Sequence, residues 1–131
     1  MDESVGELAA QRNEELTAVF LSLLGDGRLA RDIISSAASS PCSRFWITPQ
    51  NAMRYIKMRL DGSWGDKGNE LPQQVLKIDA IIRLCDGNYS PAKVRDVVEG
   101  PAPSFFLSKS AARDIIYRTV RKRRKWKRKR E

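Results

Sequence analysis

The most evident chemistry lies in residues 121–130, where nine Lys and Arg are interrupted only by Trp126. Like charges at this density repel one another, so the segment gains most from a polyanion. Each Lys or Arg set on a phosphate releases a condensed counterion, an affinity that ignores base sequence and falls steeply with salt. Trp126 adds a ring that can stack on an unpaired base. Arg121, Lys122, Arg123, Arg124, Lys125, Trp126, Lys127, Arg128, Lys129 and Arg130 are therefore the first candidate nucleic-acid-binding residues. A solvated solubility tail or an anchor for anionic lipid would have the same composition, and Trp126 suits lipid equally. Lys and Arg tolerate helix well, and one helix over 109–130 would reach about 33 Å at ~1.5 Å per residue.

A second candidate is a helix-turn-helix, with Leu29–Ser39 as the supporting helix and Thr48–Leu60 as the reading helix. With Ala52, Ile56 and Leu60 turned inward and Met53 beside them, Arg54, Lys57 and Met58 fall on the opposite side. Gln50 and Asn51 lie near the N-terminus of that helix. Gln and Asn can read adenine in the major groove, and Arg can read guanine. Arg44, Gln50, Asn51, Arg54, Lys57 and Arg59 form this second candidate set. Two features weigh against it. The connector Pro41–Ile47 is longer than the usual three or four residues of such a turn. The aligned positions of the second half carry Asp114, Tyr117 and Thr119 in place of Arg54, Lys57 and Arg59. Two packed helices with a solvated basic face are the alternative.

Several other chemistries are not expected. The chain has no histidine, and its two cysteines, Cys42 and Cys85, stand far apart. Cys/His zinc sites and His-based catalytic triads therefore drop out. Gly25-Asp-Gly27 lacks the lysine and the spacing of a phosphate-cradling loop. No catalytic residue, metal or cofactor is expected, and both cysteines read as reduced and structural. The net charge of +8 comes entirely from residues 121–131, because residues 1–120 hold 15 basic and 15 acidic side chains. Within that neutral stretch, residues 1–26 carry −5 and residues 27–60 carry +5. That asymmetry means either an acidic first helix pairing with the basic segment or an outward-facing basic surface. No run of 18 apolar residues occurs, and Met-Asp-Glu-Ser-Val-Gly-Glu predicts neither a secretory signal nor a transit peptide. A membrane is not the expected partner, and the expected location is the cytoplasm.

The elements that would position these residues emerge from an internal similarity. Pro41–Ile56 aligns without gaps on Pro101–Ile116, both reading Pro-x-x-x-Phe-aromatic-aliphatic-Ser/Thr-x-x-x-Ala-x-x-x-Ile, at an offset of 60. Leu24-Gly-Asp-Gly27 matches Leu84-Cys-Asp-Gly87, and Ala30-Arg-Asp-Ile-Ile34 matches Val94-Arg-Asp-Val-Val98 across a four-residue gap. Each half reads as three helices. In the first half, Ser4-x-x-Glu7 is a capping box, and Leu16, Val19, Phe20, Leu23 and Leu24 form one helical stripe. Leu29, Ile33, Ile34 and Ala37 give a short second helix, and Thr48-Pro49 opens the third. In the second half, Pro72 opens a helix carrying Val75, Ile78, Ile82 and Cys85. Ser90-Pro91 opens a short helix with Val94, Val97 and Val98, and Ser108 opens one with Ala112, Ile115, Ile116 and Thr119. The expected fold is all-α, with two tandem three-helix repeats packed as one small domain, 1–61 and 72–120. A glycine-rich linker (62–71) separates them, and a polybasic tail (121–131) follows. Phe45-Trp-Ile-Thr and Phe105-Phe-Leu-Ser are candidate extended segments that pair across a pseudo-twofold axis, while Trp64 tucks against a core edge.

Ser40-Pro-Cys-Ser-Arg-Phe-Trp-Ile-Thr48 and Gly100-Pro-Ala-Pro-Ser-Phe-Phe-Leu-Ser108 resemble a twice-used signature, PAPRFYVS followed by PAPSFYLS. That signature belongs to a family of short basic proteins of bacteriophages and mobile elements of Bacteroides-type bacteria. The resemblance covers roughly residues 28–60 and 72–124, and departs at Cys42 and Trp46, where the signature has Ala and Tyr. It implies a small helical protein in a phage or mobile-element setting, in the bacterial host cell or the virion, and supplies no catalytic residues. Together these readings lead to the expectation of a non-enzymatic nucleic-acid-binding protein, with DNA favoured over RNA. The alternative is a protein-interaction or virion component that binds a phage or host protein while its tail contacts packaged DNA.

Overall fold

Local chemistry sets the helix boundaries. Thr48 Oγ1 accepts from the Asn51 N–H at 3.2 Å, Ser90 Oγ from Lys93 N–H at 3.2 Å and Ser108 Oγ from Ala111 N–H at 3.2 Å. Each hydroxyl thereby satisfies one of the orphan donors of a helix start. Pro49, Pro72 and Pro91 occupy first-turn positions where no amide hydrogen is needed. The computed structural model describes residues 5–25, 27–66, 68 and 71–130, the side chains of 126–130 excepted. The proposed Ser4 cap thus lies outside the described residues. Among the described residues there are six helices: α1 (Val5–Leu23), α2 (Ala30–Ala38), α3 (Pro49–Leu60), α4 (Pro72–Cys85), α5 (Pro91–Glu99) and α6 (Lys109–Arg130). No strand occurs among the described residues, so the chain is all-α.

The helices do not pack in chain order. α1 and α2 pack on each other and on α6, whereas α4 and α5 pack on each other and on α3. The third helix of each stretch thus covers the first two of the other. Residues 39–48 and 100–108 carry the chain across the middle, where Cys42 and Ala102 exchange both backbone hydrogen bonds at 3.0 Å. The Phe45 N–H donates to Val98 O at 2.9 Å and the Phe105 N–H to Ala38 O at 3.2 Å. The two bonds correspond at an offset of 60, Phe105 standing for Phe45 and Val98 for Ala38. The Arg-Asp match at offset 64 is therefore out of step with the hydrogen bonding, and no gap is needed there.

One core runs through both halves. It includes Leu16 and Phe20 of α1, Ile33 and Ile34 of α2, Ile56 of α3, Ile78 and Ile81 of α4, Val94 and Val98 of α5 and Ile116 of α6. At its centre the Phe45 ring, 1 % exposed, stacks on Phe106 with centroids 5.9 Å apart and planes 16° from parallel. Phe105 is buried beside them and Trp46 partly so, and Trp64 leans on Tyr55 at 5.0 Å.

Three expectations change. The extended segments do not pair at Phe45 and Phe105; the bridge between Cys42 and Ala102 lies three residues earlier. Phe106 turns to φ +53°, and the Ile47 N–H closes on Phe45 O at 2.6 Å, so neither segment stays extended. Leu24 lies beyond the end of α1, and Leu29 precedes the first turn of α2; both are exposed. Leu60 is 56 % exposed, because α3 rests on the second half along Ala52 and Ile56 and its last turn passes the edge of that surface. Leu8 and Thr17 are buried in α1 instead, the Thr17 hydroxyl donating to Asn13 O at 2.8 Å.

Near the Cys42–Ala102 bridge lies an unusual buried group. Lys77 of α4 is only 8 % exposed, and burial, reinforced by the charge of Arg12, pushes its ammonium down to about 8. Burial pushes the Cys42 thiol the other way, to about 11, and both cysteines are free. Between pH ~8 and the ordinary lysine value of ~10.4, the unfolded chain holds a proton that the native state has lost, so stability rises with pH. Above pH 9.0 the unfolded Cys42 thiol loses a proton that the folded thiol keeps, which opposes the rise. Urea unfolding of the native protein should therefore show stability climbing from pH 8 to pH 9. Lys77→Met should remove the climb and stabilise the protein at pH 7 by about 2 kcal/mol, since an apolar chain of similar length replaces a desolvated charge.

Candidate nucleic-acid interface

The basic segment 121–130 continues α6 without a break. Ala112, Ile116 and Thr119 bury the start of that helix, and Val120 is half-buried; Arg121 to Lys125 are all exposed. Arg121 to Lys125 occupy five successive positions and so point in every direction around the helix axis. Ten residues at ~1.5 Å each give a cationic rod about 15 Å long. Among the described side chains of the segment, Arg123 is engaged by the body: its Nη2 donates to the carboxylate of Glu14 on α1, an exposed ion pair. The side chains of Trp126, Lys127, Arg128, Lys129 and Arg130 lie outside the described residues.

The six residues of the second set do not converge. α2 and α3 are not packing neighbours, so the helix-turn-helix arrangement is corrected. The long connector carries α3 across the middle to α4 and α5, and α2 remains with α1 and α6. Arg44 lies in that connector, half-buried, with its guanidinium 5.9 Å from the Trp46 ring centroid. Gln50 is exposed, and Asn51 is half-buried with its backbone N–H on the Thr48 cap. Arg54 is exposed over the Tyr55 ring at 5.1 Å, and Lys57 is exposed one turn further on.

Arg59 leaves the set. Its Nε and Nη2 donate to the two carboxylate oxygens of Asp79 on α4 at 2.9 and 3.2 Å, and its Nη1 donates to Asp66 at 2.6 Å. Held by two carboxylates, the guanidinium keeps its proton more tightly than usual and has no charge to spare for a phosphate. It acts as a clasp joining α3, α4 and the connection between them. Gly65 permits the clasp: its φ is +96°, and a Cβ there would stand 2.7 Å from Arg59 Nη1. Gly65→Ala, like Arg59→Ala, should lower the thermal midpoint by several degrees and leave α6 unaffected, as scanning calorimetry would register.

Sequence reasoning missed a groove of about 620 Å³ between α3 and the start of α5. Met53, Ile56 and Leu60 of α3 face Tyr89 and Val94 across it, with Arg54 and Lys57 at its rim. Only the misplaced Leu60 hinted at it, since an apolar residue in the last turn of a helix reads as core until its partner surface is known. Of the described residues, no helix is long and apolar enough to cross a membrane. Comparison with protein-family models, curated proteins and solved structures finds no match for this chain.

Proposed function

We propose that the protein is a non-enzymatic nucleic-acid-binding protein that docks on phosphates through the basic end of α6. The observation that carries this reading is the continuation of α6 to Arg130, with Thr119 buried, Val120 half-buried and Arg121 to Lys125 all exposed. A helix that is cationic on every side has no apolar face to bury, and a polyphosphate is its natural complement. DNA is favoured over RNA because the major groove of B-DNA, about 12 Å wide, admits a helix, whereas that of A-form RNA is too narrow. The resemblance to short basic phage and mobile-element proteins supports a setting in a bacterial cytoplasm or virion. It also fits reading the two halves as tandem repeats whose third helices have exchanged places, with 121–131 as an appended tail.

The test is fluorescence anisotropy on labelled duplex DNA, single-stranded DNA and RNA. The native chain is compared with a variant in which the nine cations of 121–130 are Gln, a change that keeps helix propensity. The native chain should bind duplex DNA at least about a hundredfold more tightly than the variant, a difference of ~2.7 kcal/mol. Equal binding by both would end the α6 reading.

A further inference from the structure

The groove between α3 and α5 has a character that phosphate binding leaves unexplained. Its floor is apolar, built from Met53, Ile56, Tyr89 and Val94, and Leu60 stands 56 % exposed at one end. Its rim carries Arg54 and Lys57, both exposed. Asp61 also lines the groove, but its carboxylate accepts the Ser63 N–H at 2.9 Å, and the rim keeps a net positive charge. We propose that this groove docks an acidic amphipathic helix of a partner protein. This is a site distinct from the basic end of α6 and independent of the nucleic-acid reading.

Three observations select that occupant. From Met53 to Leu60 the groove follows α3 for about 10 Å at ~1.5 Å per residue, two turns, which suits a helix presenting anchors at i, i+3 or i+4, and i+7. The volume of about 620 Å³ is sufficient for several large apolar side chains, and the cations of the rim would meet carboxylates flanking them. A nucleobase fits less well. Among the described residues of the lining the Tyr89 hydroxyl is the one uncharged polar side-chain group, so most donors and acceptors of a buried base would go unpaired, at about 1–3 kcal/mol each. A second copy of this chain fits less well too. Its acidic helix, α1, already buries Leu8, Leu16 and Phe20, and its exposed large apolar residues, Val5 and Leu21, stand at opposite ends of the helix.

The probe is a synthetic helix-forming peptide with Leu at i, i+3 and i+7 and Glu on the flanking positions. Two isomers accompany it, one with Lys for Glu and one with Ser for Leu. The ε-methyl resonance of Met53 is followed by NMR, in the native chain and in the nine-glutamine variant. The leucine–glutamate peptide should shift that resonance saturably in both proteins, so a failure of α6 to bind DNA leaves this result intact. Leu60→Glu and Lys57→Glu change exposed residues and should each weaken binding about tenfold, ~1.4 kcal/mol. Should Leu60→Glu unfold the protein, Lys57→Glu alone carries the comparison. The proposal is overturned if the serine isomer binds as tightly or if the lysine isomer binds equally. It is also overturned if the leucine–glutamate peptide leaves Met53 unmoved, or if oligo-dT moves Met53 in a manner abolished by Lys57→Glu. That last outcome would assign the groove to single-stranded nucleic acid.

Discussion

Raising the salt from about 50 to about 200 mM should cost the protein roughly a thousandfold in its affinity for duplex DNA. The size follows from counting phosphates. If about six of the nine cations in 121–130 sit on phosphates, the logarithm of affinity falls with the logarithm of salt at a slope near −5. On single strands the same contacts give a slope nearer −4, because the charge density of the polymer is lower. The nine-glutamine variant should flatten both slopes to near zero. Titrations at four salt concentrations read this directly. A slope unchanged by the substitutions would place the phosphate contacts elsewhere on the molecule. The ion pair between Arg123 and Glu14 is exposed and screened by the same salt, and its loss in the variant is worth little.

Phe45→Ala should destabilise the protein by about 3–5 kcal/mol, a large share of the ~5–15 kcal/mol that holds a small domain together. The ring is 1 % exposed and stacks on Phe106 at 5.9 Å. The surrounding contacts come from both halves, since the backbone of Phe45 is fixed by the hydrogen bond to Val98 O at 2.9 Å. A cavity there has little chance of collapsing. Leu60→Ala should change stability by less than about 0.5 kcal/mol, because that side chain is 56 % exposed. Urea unfolding of the two variants side by side checks both. Similar losses would mean that Phe45 does not stand at the centre of the core.

The contrast between these two residues shows what was legible in the sequence. Helix starts were, because Thr48, Ser90 and Ser108 act on amides three residues away, and proline fixes its own backbone wherever it stands. The choice of packing partner was not. Ala52, Ile56 and Leu60 share one helical face, but how far that face is covered depends on α4 and α5, and the covering ends before Leu60. The same nonlocality undid the helix-turn-helix reading, which presumed that helices adjacent in sequence are adjacent in space. Arg59 was read as a surface cation because its carboxylates, Asp66 and Asp79, lie 7 and 20 residues away. The basic run needed no tertiary information to be noticed, since charge density is a property of the chain itself. The groove was invisible because its two walls, α3 and the start of α5, are separated by the whole of α4.

The exchange of third helices has a consequence for biosynthesis. As the chain leaves the ribosome, α1 and α2 emerge first, but the helix that covers them, α6, is made roughly ninety residues later. At ~5–20 residues per second, their apolar faces wait on the order of five to twenty seconds for that cover. A message interrupted before α6 would leave α1 and α2 permanently bare, and the nascent product would be a ready client for chaperones and proteases.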